Sequence, residues 1–291
     1  MARIDFRDQI SRNKRKSFLL ILIISIVFVL FGYVISFAFD PGYFFVVMII
    51  SVIFTLCYVL IGYYNSDKIA IASVKAKKAS RTDYRSYYSL VEGLTIASGM
   101  PMPKLYIMDS PQINAFASGR NPEKAVICVT EGALKKLEKR ELEGVLAHEL
   151  GHIASYDMRY MTLVAVMVGM ISIISQIFLR SLWFRNSRND KAQLLFIILG
   201  ILMAILAPIV VKLVQLSISR KREFSADASA VKFTRYPSGL ISALKKIEKD
   251  PPSPKKKVSK ALAPLFFSSP FKVLGKTHPP IKKRIEILEK M

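Results

Sequence analysis

His148-Glu149-Leu150-Gly151-His152 sets two imidazoles four residues apart, with a carboxylate beside the first. On a helix, positions i and i+4 share a face, so both rings can close on one metal while Glu149 points at its water. That water is the nucleophile a zinc hydrolase needs at neutral pH, where the ion lowers its pKa. The chain has three histidines and this stretch uses two of them. The plainer alternative is a chance helical match whose histidines are satisfied at a surface.

Two histidines and a water leave one position on a four-coordinate zinc. Glu223, within Arg220-Lys221-Arg222-Glu223-Phe224-Ser225-Ala226-Asp227, is the candidate third ligand. Asp227 lies one helical turn further on the same face. It can accept a hydrogen bond from a ligand imidazole, with His148 the expected donor, which fixes the ring tautomer and raises its basicity. The small Ala226 lets this helix approach the other closely. Against this stands the reading of Glu223 as a solvated carboxylate paired with Arg220 or Arg222. Zinc suits the nitrogen and oxygen donors, and manganese or cobalt would also be accommodated.

Residues 141–147 read as an amphipathic helix running into the histidine motif. Residues 87–98 predict a helix, 104–108 and 125–129 short strands, and 114–119 an edge strand or a loop. Thr130 is placed to cap the helix that carries Ala133, Leu134 and Leu137. Further helices are expected over 222–233, 239–249 and 281–289. Residues 250–260, with Pro251, Pro252, Pro254 and three consecutive lysines, read as a solvated loop.

A hydrophobic content of 52% and a mean hydropathy of +0.34 exceed what an ordinary soluble protein of 291 residues carries. The excess lies in four runs, 18–39, 43–64, 161–179 and 194–216, each near the roughly 20 residues that cross a bilayer. The first is long for a signal-peptide core and lacks a small-x-small cleavage site, so it reads as a retained anchor. Pro208 and Lys212 in the fourth allow a kink or an interfacial end. Cys57 and Cys128 form no disulfide framework, as suits a reducing compartment.

The formal net charge of +22 is concentrated beside these runs. Arg3, Arg7, Arg12, Lys14, Arg15 and Lys16 precede the first; Lys68, Lys75, Lys77, Lys78 and Arg81 follow the second; Arg220, Lys221 and Arg222 follow the fourth. This distribution fits the positive-inside rule and anionic lipid headgroups as partners, with both termini and the candidate site cytoplasmic. It argues against nucleic acid, because no basic face studded with aromatics appears in a soluble segment. Arg180, Arg185, Arg188 and Lys191 dissent, lying between the third and fourth runs. Either that loop is carried across, or the second hairpin does not fully span. Ligands of one metal must share a side of the membrane, and two runs separate His152 from Glu223, an even number. Along unbroken helix, Met161 would lie about 14 Å from His152 and Leu216 about 10 Å from Glu223, which keeps the metal near the membrane surface.

The chain resembles the HtpX-like membrane zinc metalloproteases, which are related to the CAAX prenyl endopeptidases. The resemblance runs through Asn114-Ala115-Phe116-Ala117-Ser118-Gly119, residues 148–152, residues 219–227, and His278-Pro279-Pro280-Ile281 with Arg284. Ser118 stands where threonine is common. The resemblance implies a zinc endopeptidase in which His148, His152 and Glu223 bind metal, Glu149 is the general base and Asp227 supports the ligands. His278 and Asn114 match positions that stabilise the oxyanion or hold substrate; read without the family, His278 before two prolines is a turn residue. Damaged or misfolded membrane proteins are the implied substrates, in quality control and stress response. An extended peptide can add as a strand beside residues 114–119. Rival readings are a processing protease for one defined substrate, such as a prenylated C-terminus, and a non-catalytic basic membrane scaffold. The expected architecture is a mostly α membrane protein with four hydrophobic helices in two hairpins and a cytoplasmic α+β zincin-like metalloprotease domain built on a small sheet. Its divisions are a membrane hairpin (1–64), the first half of the protease domain (65–160), a second hairpin (161–216) and the second half (217–291).

Overall fold

The computed structural model describes residues 6–36, 41–164, 220–250, 266–267 and 279–291. Helix α1 (Phe6–Ser36) begins in the basic segment and continues without interruption into the first apolar run. After a 3-10 turn (Pro41–Tyr43), α2 (Phe44–Tyr64) returns alongside it. Gly32 faces Ser51, the ring of Phe28 meets those of Phe54 and Tyr58, and Leu20 and Ile24 share an apolar cluster with Tyr58. Rising numbers on one helix meet falling numbers on the other, so the two are antiparallel. Among the described residues, α2 is the helix long and apolar enough to cross a membrane. Phe45 and Ile49 on it are 75% and 59% exposed, which suits lipid and is unfavourable in water. The second hairpin expected over 161–216 lies outside the described residues except for 161–164, which are helical.

The rest of the described residues are mostly helical with one small mixed sheet. Helix α3 (Ser66–Ser73) leads into β1 (Lys77–Lys78), and α4 (Arg85–Ser98) ends where Gly99 takes a left-handed φ of +68°. Strands β2 (Lys104–Met108), β3 (Ala115–Ser118) and β4 (Val126–Thr130) complete a sheet of order β1-β2-β4-β3. β4 pairs parallel with β2 and antiparallel with β3. Every residue of β4 is buried, which is why an unbroken apolar run, and no alternation, marks this central strand. Of the two forms expected for 114–119, the edge strand is adopted. Thr130 caps α5 (Glu131–Lys136), its side chain accepting from the Ala133 N–H.

Helix α6 (Lys139–Ala154) carries the histidine motif, started by a capping box between Glu138 and Glu141. Helices α7 (Arg220–Thr234), α8 (Pro237–Lys249) and α9 (Ile281–Leu288) follow. Leu146, Leu150 and Ile153 of α6 lie in the main core with Ile127 and Val129 of β4 and Leu240 and Leu244 of α8. Two glycines allow the helices to close. A Cβ on Gly144 would stand 2.7 Å from the Leu240 amide nitrogen, and one on Gly151 would stand 3.1 Å from the carbonyl oxygen of Ala226. The unbroken helix from His152 to Met161 does not form. The chain turns at Ser155 and Tyr156, Tyr156 takes φ +59°, and helix resumes over 157–164. Polar side chains at the turn stabilise the break: the Ser155 hydroxyl reaches back to the Gly151 carbonyl and forward to the Asp157 carboxylate.

Candidate metal centre

Helices α6 and α7 cross at Gly151 and Ala226, and the close approach brings Glu223 opposite the two histidines. The Nε2 atoms of His148 and His152 stand 3.1 Å apart. Glu223 Oε2 lies 3.9 Å from the first and Oε1 lies 3.6 Å from the second. One donor atom from each of the three residues falls within 4.8 Å of the others, and all three side chains are buried. The reading of Glu223 as a solvated carboxylate therefore does not hold.

The far side of each ring faces a carboxylate. His148 Nδ1 is 2.8 Å from Asp227 Oδ1, and His152 Nδ1 is 3.5 Å from Asp157 Oδ2. Both Nε2 atoms are thereby turned toward each other and toward Glu223. Two imidazole lone pairs converging at this distance repel unless a cation or a shared proton lies between them. Two nitrogens and a carboxylate oxygen are the donor set of a catalytic zinc site, so the residues fit a divalent ion of that kind.

Arg284, from α9, is fully buried and ties the ligands to the end of the chain. Its Nε donates to Asp227 Oδ2 at 2.9 Å and its Nη2 to Asp227 Oδ1 at 2.6 Å. Nη1 lies 3.7 Å from Glu223 Oε2. The guanidinium covers the ring of Phe267, which in turn meets the His148 ring edge-on, with centroids 4.8 Å apart. The Phe267 N–H donates to the carbonyl of Ala115 on the edge strand β3.

Burial sets the proton affinities here and neighbouring charges modify them. It pulls the His148 imidazole down to about 4, although Asp227 opposes it. At His152 burial pulls the same way, but Asp157, Glu223 and Glu149 outweigh it and hold the ring up at about 9. Glu149, on the next position of α6, is pushed up by burial to about 7, with a backbone hydrogen bond from Ala117 of β3 among the opposing effects. Burial also opposes ionisation of Asp227, yet Arg284 and His148 keep its carboxyl below the usual range.

Asn114 is buried at the head of β3, where its N–H donates to Thr130 Oγ1 and its Oδ1 accepts from the Ala115 N–H. His278 lies outside the described residues. Three residues that shape the site carry no role in the sequence reading: Asp157, Phe267 and Arg284. Asp157 sits five residues past His152 and beyond the end of α6, so helical spacing points away from it. The rule that a metal-binding imidazole hands its other nitrogen to a carboxylate is the signal that would have prompted a search.

The profile of Peptidase family M48 matches residues 82–291. The chain is 41% identical over 295 residues to the Protease HtpX homolog of Dictyoglomus thermophilum, covering 100% of this chain and 96% of that one. It is 39% identical to the Protease HtpX homolog of Caldanaerobacter subterraneus subsp. tengcongensis, over 97% of this chain and 96% of the relative. Among solved structures, Ste24p of S. mikatae superposes with a TM-score of 0.49 at 19% identity, covering 94% of this chain. This chain spans 65% of that one.

Proposed function

The chain belongs to peptidase family M48 and is a membrane-associated metalloprotease, and from that premise we propose that it is a zinc endopeptidase whose ion is held by His148, His152 and Glu223. The observation that carries this reading is the convergence of those three buried donors within 4.8 Å. Zinc, when bound, supplies Lewis acidity toward a water and toward the scissile carbonyl. Asp227 and Asp157 hold the two rings with their Nε2 lone pairs inward, and Arg284 holds Asp227. Glu149 takes the proton of the attacking water and passes it to the leaving amine, the role its burial beside His148 suits. His278 stabilises the oxyanion and Asn114 holds substrate, roles carried over from the family resemblance. A peptide adding along β3 must compete with Phe267 for the Ala115 carbonyl.

The substrates on this reading are damaged or misfolded membrane proteins, cut at the cytoplasmic surface of the cell membrane. The exposed apolar surface of α2 and the basic start of α1 support that location, with anionic headgroups the lipid partners. Four spans in two hairpins, with the protease domain split between 65–160 and 217–291, complete the proposed organisation.

Zinc content and casein digestion, measured on wild type, Glu149→Gln and Glu223→Ala, test the assignment together. Glu149→Gln is expected to keep its metal and lose turnover by about 10²–10⁴-fold, and Glu223→Ala to lose much of both. Full activity in Glu223→Ala would refute the ligand set. Preference for a prenylated peptide over an unfolded membrane protein in a competitive digest would turn the reading toward a dedicated processing enzyme.

A further inference from the structure

The turn that follows α6 is clamped by the polar start of α1. Asn13, 3% exposed, sits more than 140 residues away in sequence and donates both hydrogens of its side-chain amide into that turn. One goes to Asp157 Oδ1 at 2.6 Å and the other to the Ser155 carbonyl at 3.0 Å. The next residue, Lys14, places its ammonium over the ring of Tyr156, 4.7 Å from the centroid. Tyr156 is the residue at φ +59°, a conformation a tyrosine adopts only when its surroundings hold it. The two turn residues, Ser155 and Tyr156, and Asp157 at the start of the helix that follows are thus gripped by two consecutive residues of α1.

Asp157 is fully buried and faces the metal centre. Its Oδ2 takes the Ser155 hydroxyl at 2.8 Å and lies 3.5 Å from His152 Nδ1. Its Oδ1 takes the Asn13 amide, with Arg222 Nε further off at 3.8 Å. An amide is the one neutral side-chain group that offers two hydrogens from a single nitrogen, and both are used here. Without them Asp157 Oδ1 would keep only the distant guanidinium contact among these partners, and the Ser155 hydroxyl on Oδ2 would be left as the one short bond among them holding the carboxylate against the ring.

We infer that Asn13 is a positioning residue for the metal centre: it fixes the Asp157 carboxylate that orients His152, so the segment ahead of the first apolar run is part of the site. Asn13 lies outside the matched stretch 82–291. The inference rests on the proposed binding of zinc by His148, His152 and Glu223. It also couples the membrane hairpin to the ligand geometry, because a shift of α1 relative to residues 155–157 moves the support of one ligand.

A double-mutant cycle on the full-length protein in detergent tests this. Zinc affinity is measured by competition with a chelator for wild type, Asn13→Ala, Asp157→Asn and the double variant. Asn13→Ala is expected to weaken zinc binding about tenfold, the lower end of what loss of support around a metal-binding imidazole costs. If Asn13 acts through Asp157, the double variant binds no more weakly than Asp157→Asn alone. In the cobalt(II)-loaded protein, the ligand-field bands of Asn13→Ala should shift from those of wild type. Ser17→Ala removes a buried hydroxyl bonded to the Asn13 carbonyl on the same helix and should leave affinity and spectrum unchanged. Should Asn13→Ala not fold, Asn13→Gln, which keeps the amide one methylene further out, takes its place in the cycle with a smaller expected loss. Wild-type affinity in the Asn13 variant, or effects that add across the cycle, would overturn the inference while leaving the metal site standing. A wild-type protein that binds no zinc would overturn both.

Discussion

Arg284 buries a full positive charge among His148, Glu223 and Asp227 and has a counter-charge on two sides. Removing it would strand Asp227, and an uncompensated buried carboxylate is costly. Arg284→Leu is expected to lose about 3–5 kcal/mol of stability, read as a lowered Tm, together with weaker zinc binding as His148 loses a fixed partner. A Tm unchanged from wild type would show that the pair contributes nothing net. At this scale the ligand helix is legible in the sequence because a repeat of four residues states its own geometry. Glu223 is legible because an acid and a second acid one turn later make the same kind of statement. Asp157 reaches the site from the start of the helix that resumes after the 155–156 turn, Arg284 from α9, and Phe267 lies far in sequence from both ligand helices. Their neighbours in the chain say nothing about the ring each one faces, since only the folded packing brings them there.

At the level of elements, the site depends on how closely α6 and α7 cross. Gly151 inside the histidine motif and Ala226 opposite it allow that approach, and a methyl group on Gly151 would press on the Ala226 backbone and the Ser229 Cβ at 3.0–3.2 Å. Backbone cannot give way as a side chain can, so Gly151→Ala should force the helices apart. The expected cost is about 1–3 kcal/mol, with Glu223 drawn away from the imidazoles and zinc affinity reduced in step. Calorimetry alongside a zinc titration measures both; a stable variant of unaltered affinity would mean that the crossing has slack. The small residue at 226 signals the approach in the sequence itself. The break after α6 does not announce itself, since Tyr156 takes a left-handed conformation usually left to glycine or asparagine and is held there by Asn13 and Lys14 of a distant helix. Likewise β3 is ambiguous in sequence because all four of its residues are buried and no alternation distinguishes strand from loop.

For the whole molecule, one metal would join pieces of chain separated by the stretch between residues 164 and 220, so its removal should be felt globally. Chelation is expected to lower Tm as well as abolish peptidase activity. Restoring free zinc to a hundredfold excess over its dissociation constant should return about 2.7 kcal/mol. A chelated protein that melts like the loaded one would show that the ion is not shared between the two halves. The even number of apolar runs between the histidines and Glu223 is readable in the sequence, and it is what ligands sharing one side of a membrane require. X-ray absorption at the zinc edge of the purified protein is the most direct test of that shared site. Two imidazole nitrogens at about 2.0–2.1 Å with carboxylate or water oxygen at about 2.0–2.2 Å, reduced to a poorly occupied or altered shell in Glu223→Ala, is the expected result. A zinc shell lacking imidazole, or one identical in Glu223→Ala, would contradict it.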